Sequence, residues 1–309
     1  MRERLGKGVL MQRIISRTAF VILLISSNCL YAEKLDTARV DELTGLKGKM
    51  NEQEGVYKIN SPRSDIRVSV DKWEMPPFMG LTSWAAFKAA KHDGAIVMGD
   101  IVLLQDEVNH VMSAALDSGL EVTALHNHFF YDEPKVYFMH IGGHGDAQKL
   151  ARGVRAVFDK IKEVRAGHPQ PADTFGTARP PSRNFLTSSA LQKILGVKGE
   201  VNNGMYKAVF GRTVKMHDGE EARKDMGVNT WAAFAGTDDD AIVDGDFVVL
   251  EGELQASLKS LRDSGIYIVA IHHHMTGEEP RTIFFHYWGR GAVRELAGAV
   301  KKALDLQSK

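Results

Sequence analysis

The chain has 309 residues, 44% of them hydrophobic and 25% charged, and its 39 basic and 39 acidic side chains leave a net charge of zero. That is the make-up of an ordinary globular protein, with no electrostatic footprint for nucleic acid. One cysteine in the whole chain excludes a disulfide framework and a thiolate metal cluster.

At the start, Arg13 and Arg17 precede the apolar run AFVILLI (Ala19 to Ile25), and a polar stretch follows to Ala32. This is the layout of a secretory signal, and the run is too short to span a bilayer of ~30 Å. Residues 1–32 are therefore expected to be a signal peptide, with Met11 as an alternative start and a mature, mildly acidic chain beginning near Glu33. The expected location is periplasmic or secreted, with no transmembrane segment once the signal is gone. Cys29 lies inside this segment behind Ser26-Ser27-Asn28, a poor lipobox, so a lipid anchor at Cys29 is not expected. Any metal must then be held by nitrogen and oxygen.

Beyond that segment the chain repeats itself. Ala95 to Gly145 aligns without a gap to Ala241 to Gly291, with 20 of 51 positions identical. Two units follow, residues 33–166 and 188–309, joined by a Pro-rich linker, 167–187. Each unit opens alike, LTGLKGKM near Leu43 echoing ILGVKGEV near Ile194, and Val56-Tyr57-Lys58 echoing Met205-Tyr206-Lys207. Next come Ser83-Trp84-Ala85-Ala86-Phe87 and its copy Thr230-Trp231-Ala232-Ala233-Phe234, each leading through a turn into a second strand. Val108, Val111, Met112, Ala115 and Leu116 then sit at helical spacing, with Gly119 and Gly265 where that helix stops in each copy. Two strands, EVTALHNHF and KVYFMHI, flank a turn holding Glu133-Pro134. The closing helix buries Leu150, Val154, Val157, Phe158 and Ile161, as Val293, Leu296, Ala297, Val300 and Leu304 do later.

The expected fold is α+β: two tandem ββαββα repeats, a circular permutation of the ferredoxin-like order, each an antiparallel four-stranded sheet with helices on one face. The third strand reads as apolar on both faces, Val122 and Ala124 on one, Leu125 and Phe129 on the other. The sister unit is the expected cover for the second face, making an internal pseudo-dimer.

The duplication kept its histidines. HNHFFYDEPKVYFMH (His126 to His140) returns as HHHMTGEEPRTIFFH (His272 to His286), sharing His-x-His, four residues, Glu-Pro, five residues, His. Residues two apart on a strand share a face, so His126 and His128 point together, and a hairpin centred on Glu133 sets His126 opposite His140. Three imidazoles within that span can hold one ion, and His272, His274 and His286 repeat the set. Glu133 and Glu279 are placed as a fourth ligand, a partner of a ligand, or a proton acceptor. The bland reading gives the same histidines a packing or seam role. Asp100 and Asp246 also recur, each after a glycine in a strand, and are read as bulge or turn residues.

The segments GLTSWAAFKAA, VMGDIVLLQDEV, LEVTALHNHFFYDEPKVYFMHIGGHGD, NTWAAFAGTDDDAIVDGDFVVLEGE and IVAIHHHMTGEEPRTIFFHYWGRG closely resemble the LppY/LpqO family, a duplicated bacterial domain of unknown function found in exported proteins and mycobacterial lipoproteins. The resemblance covers essentially the whole mature chain and implies export and duplication, with no activity attached. Three functional readings stand. The preferred one is an exported metal-binding or metal-handling protein, with zinc before copper, Met139 and Met275 being close in sequence to the histidines. The others are a zinc-dependent hydrolase using Glu133 or Glu279 as base, and a non-metal module holding a small molecule near Trp84 and Trp231. No HExxH, nucleophile elbow or phosphate-binding Gly loop supports catalysis, so the balance falls against an enzyme.

Overall fold

The computed structural model describes residues 35–91, 94–175 and 182–307. The expected signal segment with Cys29 lies outside the described residues, as does the middle of the linker. No helix among the described residues is long and apolar enough to cross a membrane.

The first repeat opens with α1 (Thr37–Thr44), started by the Asp36 carboxylate accepting from the Arg39 N–H and stopped at Gly45, whose φ is 69°. Then come β1 (Lys49–Asn51), β2 (Val56–Pro62), β3 (Ser69–Val70), β4 (Trp73–Glu74), β5 (Thr82–Ala89), β6 (Ala95–Leu104) and α2 (Val108–Asp117). The repeat closes with β7 (Glu121–His126), β8 (Asp132–Glu133), β9 (Val136–Gly145) and α3 (Ala147–Gly167). The second repeat runs α4 (Ser188–Leu195), β10 (Glu200–Asn202), β11 (Met205–Gly211), β12 (Val214–Lys215), β13 (Glu221–Ala222), β14 (Asn229–Gly236) and β15 (Ala241–Leu250). It ends with α5 (Leu254–Asp263), β16 (Tyr267–His272), β17 (Thr282–Gly291) and α6 (Val293–Leu304). The architecture is mixed α+β and mostly antiparallel, in a two-segment repeat. The leading helix and hairpin of each repeat are additions to the order expected from sequence.

The main strands form one twelve-stranded sheet in the order β1-β2-β5-β6-β9-β7-β16-β17-β15-β14-β11-β10. The two halves are mirror-ordered, and they meet where β7 runs antiparallel to β16 with Leu125 opposite Ile271. Stacking of the sister unit on the second sheet face, as expected from sequence, does not occur: the repeats join edge to edge. The cause is a bulge. The pairing of β7 with β9 shifts register between Val122 and Ala124, so Val122 and Leu125 both reach the helix-side core. The pairing of β16 with β17 shifts likewise between Ile268 and Ala270. Each strand is therefore apolar on one face, and what needs covering is its free edge.

Side chains from the helices close that seam. Asn109 on α2 donates to the Ile268 carbonyl (3.1 Å) and accepts from the Ile268 N–H (2.8 Å). Gln255 on α5, the equivalent position of the second repeat, does the same for Val122 at 3.0 and 2.8 Å. Each repeat thus satisfies backbone groups of the other where the two edge strands diverge.

The six α-helices named above pack on one face, where Val111, Met112, Val154, Val157, Leu258, Leu261 and Val300 are fully buried. On the other face two inserts act as partial covers. Val68, Met75 and Leu81 lie over Val102, Leu104, Val136 and Phe138, and Val214, Ala222 and Val228 lie over Val248 and Phe284. Beyond the inserts that face is open, with Met98 63% exposed.

Candidate metal centre

Strand parity puts the polar residues on the open face. In β6, Ile101 and Leu103 point to the helices, as do Met139 and Ile141 in β9, so Asp100 and His140 point away. In the second repeat Phe247, Phe285 and Tyr287 fill the helix side, leaving Asp246 and His286 opposite. Register brings each pair together: Asp100 stands across from His140, and Asp246 across from His286.

The hairpin is not centred on Glu133. His126 faces Phe138 and His140 faces Ala124, so the two histidines are diagonal neighbours, their rings stacked at 5.2 Å between centroids. His128 lies past the end of β7 and folds back flat on Phe138 at 3.3 Å, its ring 5.2 Å from that of His126. The second repeat copies this. His272 faces Phe284, stacks on His286 at 4.6 Å and lies 5.1 Å from His274, which itself rests on Phe284 at 3.6 Å. The phenylalanine common to both copies is a shelf that holds the middle histidine over the site.

At the centre of the second cluster is Asp246, a residue that sequence pattern alone assigns to a turn. Its side chain is 4% exposed, with Oδ2 3.1 Å from His274 Nε2 and 3.9 Å from His272 Nε2, and Oδ1 3.9 Å from His286 Nδ1. The two Nε2 atoms are 3.2 Å apart. One ligand atom each from Asp246, His272 and His274 lie within 4.8 Å of one another, a group that could hold a metal ion. The Gly227 carbonyl stands 3.2 Å from His274 Nδ1, fixing which ring nitrogen turns inward. Asp100 occupies the equivalent place in the first repeat. The one trace of both aspartates in the sequence is that a Gly-Asp pair stands at the same position of both copies, which does not by itself tell a ligand from a bend.

The electrostatics suit a cation. Burial raises the Asp246 carboxyl above its ordinary value against the pull of His286 and His274. Burial also pushes His272 down to about 4, helped by His286, His274 and His273. His128 is lowered by burial and then by His126, with Asp100 opposing. Neutral imidazole is the ligand form. Asp246 Oδ1, Asp100 Oδ1 and His272 Nδ1 are buried without a hydrogen-bond partner, and a buried carboxylate oxygen in that condition calls for a positive charge.

Glu133 and Glu279 stand elsewhere. Both are exposed and precede cis prolines, and their backbones are engaged outside the clusters, Glu133 opposite Ser69 and Glu279 exchanging two 2.8 Å bonds with Lys215. The buried acids of the turn are their predecessors. Asp132 accepts from the Val136 N–H at 2.8 Å and Glu278 from the Thr282 N–H at 2.9 Å, so both clasp the turn. Trp84 and Trp231 lie on the open face beside Asp100 and Asp246.

The chain belongs to the family described as Domain of Unknown Function (DUF1259), which matches residues 38–160 and 189–306, one segment in each repeat. No curated protein matches it. Among solved structures it is similar to a trimeric bacterial microcompartment shell protein, PduB, at 12% identity over 82% of this chain and 89% of that one. The TM-score of that match is 0.20, too low to carry any argument.

Proposed function

We propose that this DUF1259-family protein is an exported metal-binding protein with one nitrogen–oxygen site in each repeat. The second site takes its donors from Asp246, His272 and His274, with His286 against the other carboxylate oxygen, and the first repeats it with Asp100, His126 and His128, His140 lying alongside. The observation that carries the reading is the buried Asp246 carboxylate against two imidazole nitrogens, with one oxygen unpartnered. Zinc suits this donor set, and copper(II) is the runner-up. A thiolate-dependent ion is disfavoured, since the only cysteine is Cys29. Binding is preferred over catalysis because the two glutamates that the repeat offers as bases are exposed in turns whose backbones are pinned elsewhere.

Each repeat is read as a permuted ferredoxin-like unit with an added helix and hairpin, paired in a pseudo-dimer. The order β5-β6-β9-β7, matched by β14-β15-β17-β16, supports this. The arginines before the short apolar run at Ala19 to Ile25, and the resemblance to LppY/LpqO proteins, support export to the periplasm or beyond.

X-ray absorption on the zinc-loaded mature protein tests the site. The expected shell contains imidazole nitrogen and carboxylate oxygen, with no sulfur. A shell of water oxygens alone, showing no imidazole scattering, would refute it.

A further inference from the structure

Beside each cluster a lysine rests on an indole. Lys58 Nζ lies 4.1 Å over the Trp84 ring, and Lys207 Nζ lies 4.4 Å over the Trp231 ring. All four residues are on the open face, because their chain neighbours Ile59, Ala85, Ala208 and Ala232 are fully buried in the helix-side core. Register ties them to the clusters: Trp84 pairs with Asp100, which pairs with His140, and Trp231 pairs with Asp246, which pairs with His286. Neighbouring strands are about 4.8 Å apart, so each indole stands roughly one strand spacing from the carboxylate and two from the histidine. The four-carbon stem of an exposed lysine otherwise leaves its ammonium free to wander. A cation–π contact of about 0.5–1 kcal/mol biases it toward one place, here over the indole that stands next to the carboxylate's strand.

The pairing recurs although its surroundings changed. Met98 in one repeat answers to Asp244 in the other, and Asn60 opposite Trp84 answers to Val209 opposite Trp231. Asp244 is a charged neighbour for Lys207, but Met98 holds that place beside Lys58, so this pair does not explain an ammonium on both indoles. Charge supplies a reason: a divalent ion on neutral imidazoles and one carboxylate keeps a net positive charge, and the convergent three-donor core of Asp246, His272 and His274 leaves a coordination position open.

We propose that each site binds a small carboxylate ligand, one oxygen on the metal ion and the other accepting a hydrogen bond from Lys58 or Lys207. This rests on the metal-binding reading above and adds the ligand class. A charge-assisted hydrogen bond to a carboxylate is the strong kind, so its loss is measurable.

Cobalt(II) serves as a visible probe of the loaded sites, and acetate as the carboxylate. Acetate added to the cobalt-loaded mature protein should shift its absorption bands saturably. The Lys58→Met/Lys207→Met protein should hold the same cobalt and need roughly tenfold more acetate, the equivalent of about 1.4 kcal/mol. The Lys58→Arg/Lys207→Arg protein should stay close to wild type. Equal acetate midpoints in wild type and the methionine variant, or no spectral response in wild type, would overturn the proposal while leaving the metal site standing. Failure of the wild type to retain cobalt in elemental analysis would overturn both.

Discussion

Replacing Asp246 by Asn keeps the shape of a buried side chain and removes its charge, so metal-free and metal-loaded protein should respond in opposite directions. In the metal-free protein burial raises the Asp246 carboxyl, which means the folded state holds that proton more tightly than the unfolded chain. Stability therefore falls as pH rises from the ordinary value of 3.8 through the folded one, and at pH 7.5 the full cost of a buried carboxylate with one unpartnered oxygen is present. A buried polar group without its partner costs about 1–3 kcal/mol. Asp246→Asn should thus melt at or above the wild-type temperature when both are stripped by chelator. Metal reverses the order. An ion at a hundredfold excess over its dissociation constant stabilises the folded state by about 2.7 kcal/mol per site, and for a chain of this size each kcal/mol moves the melting temperature by roughly 2–4 °C. Thermal melts with and without zinc should show a shift of about 5–10 °C per site in wild type and about half the total in Asp246→Asn, whose first site is intact. A chelated variant that melts several degrees below wild type yet keeps the whole zinc shift would refute the reasoning.

Three further outcomes are expected. His272 titrates at about 4 in the folded protein, against 6.5 for an ordinary imidazole, so the metal-free protein should lose stability as pH falls through that window, and His272→Ala should lack that portion of the loss in acid denaturation curves. Asn109→Ala and Gln255→Ala each strip a strand-edge N–H and C=O of their partners at the seam, and urea unfolding should show about 1–3 kcal/mol lost for each. Losses under about 0.3 kcal/mol at both positions would mean that water replaces these side chains at nearly equal free energy. Glu133→Gln and Glu279→Gln should leave zinc affinity by calorimetry unchanged, since both glutamates sit exposed in their turns; a metal-dependent turnover lost only in these proteins would make the protein an enzyme.

Much of this arrangement is legible in the chain, and the exceptions have physical causes. The helical stripes at Val108 to Leu116 and Leu150 to Ile161 need only spacing, because each helix buries one face on one sheet. The histidines stand out through repetition. The edge-to-edge junction does not, because a bulge at Thr123 reverses strand parity and makes a one-faced strand look apolar on both sides. The strand Val56–Pro62 carries Lys58, Asn60 and Ser61 and has no apolar run, so its pairing with β5 leaves little trace in the sequence. Asp100 and Asp246 read as turn residues because a Gly-Asp pair in a strand ordinarily marks a bend. Only the register, which sets each aspartate across from a histidine, reveals them as part of a cluster.

The most direct measurement is the metal content of the protein after loading with zinc and desalting, compared across wild type, Asp246→Asn and Asp100→Asn/Asp246→Asn. A site in each repeat predicts about two equivalents, about one, and close to none, in that order. Wild-type protein that emerges with no bound metal, or a double variant that keeps the wild-type amount, would contradict the account.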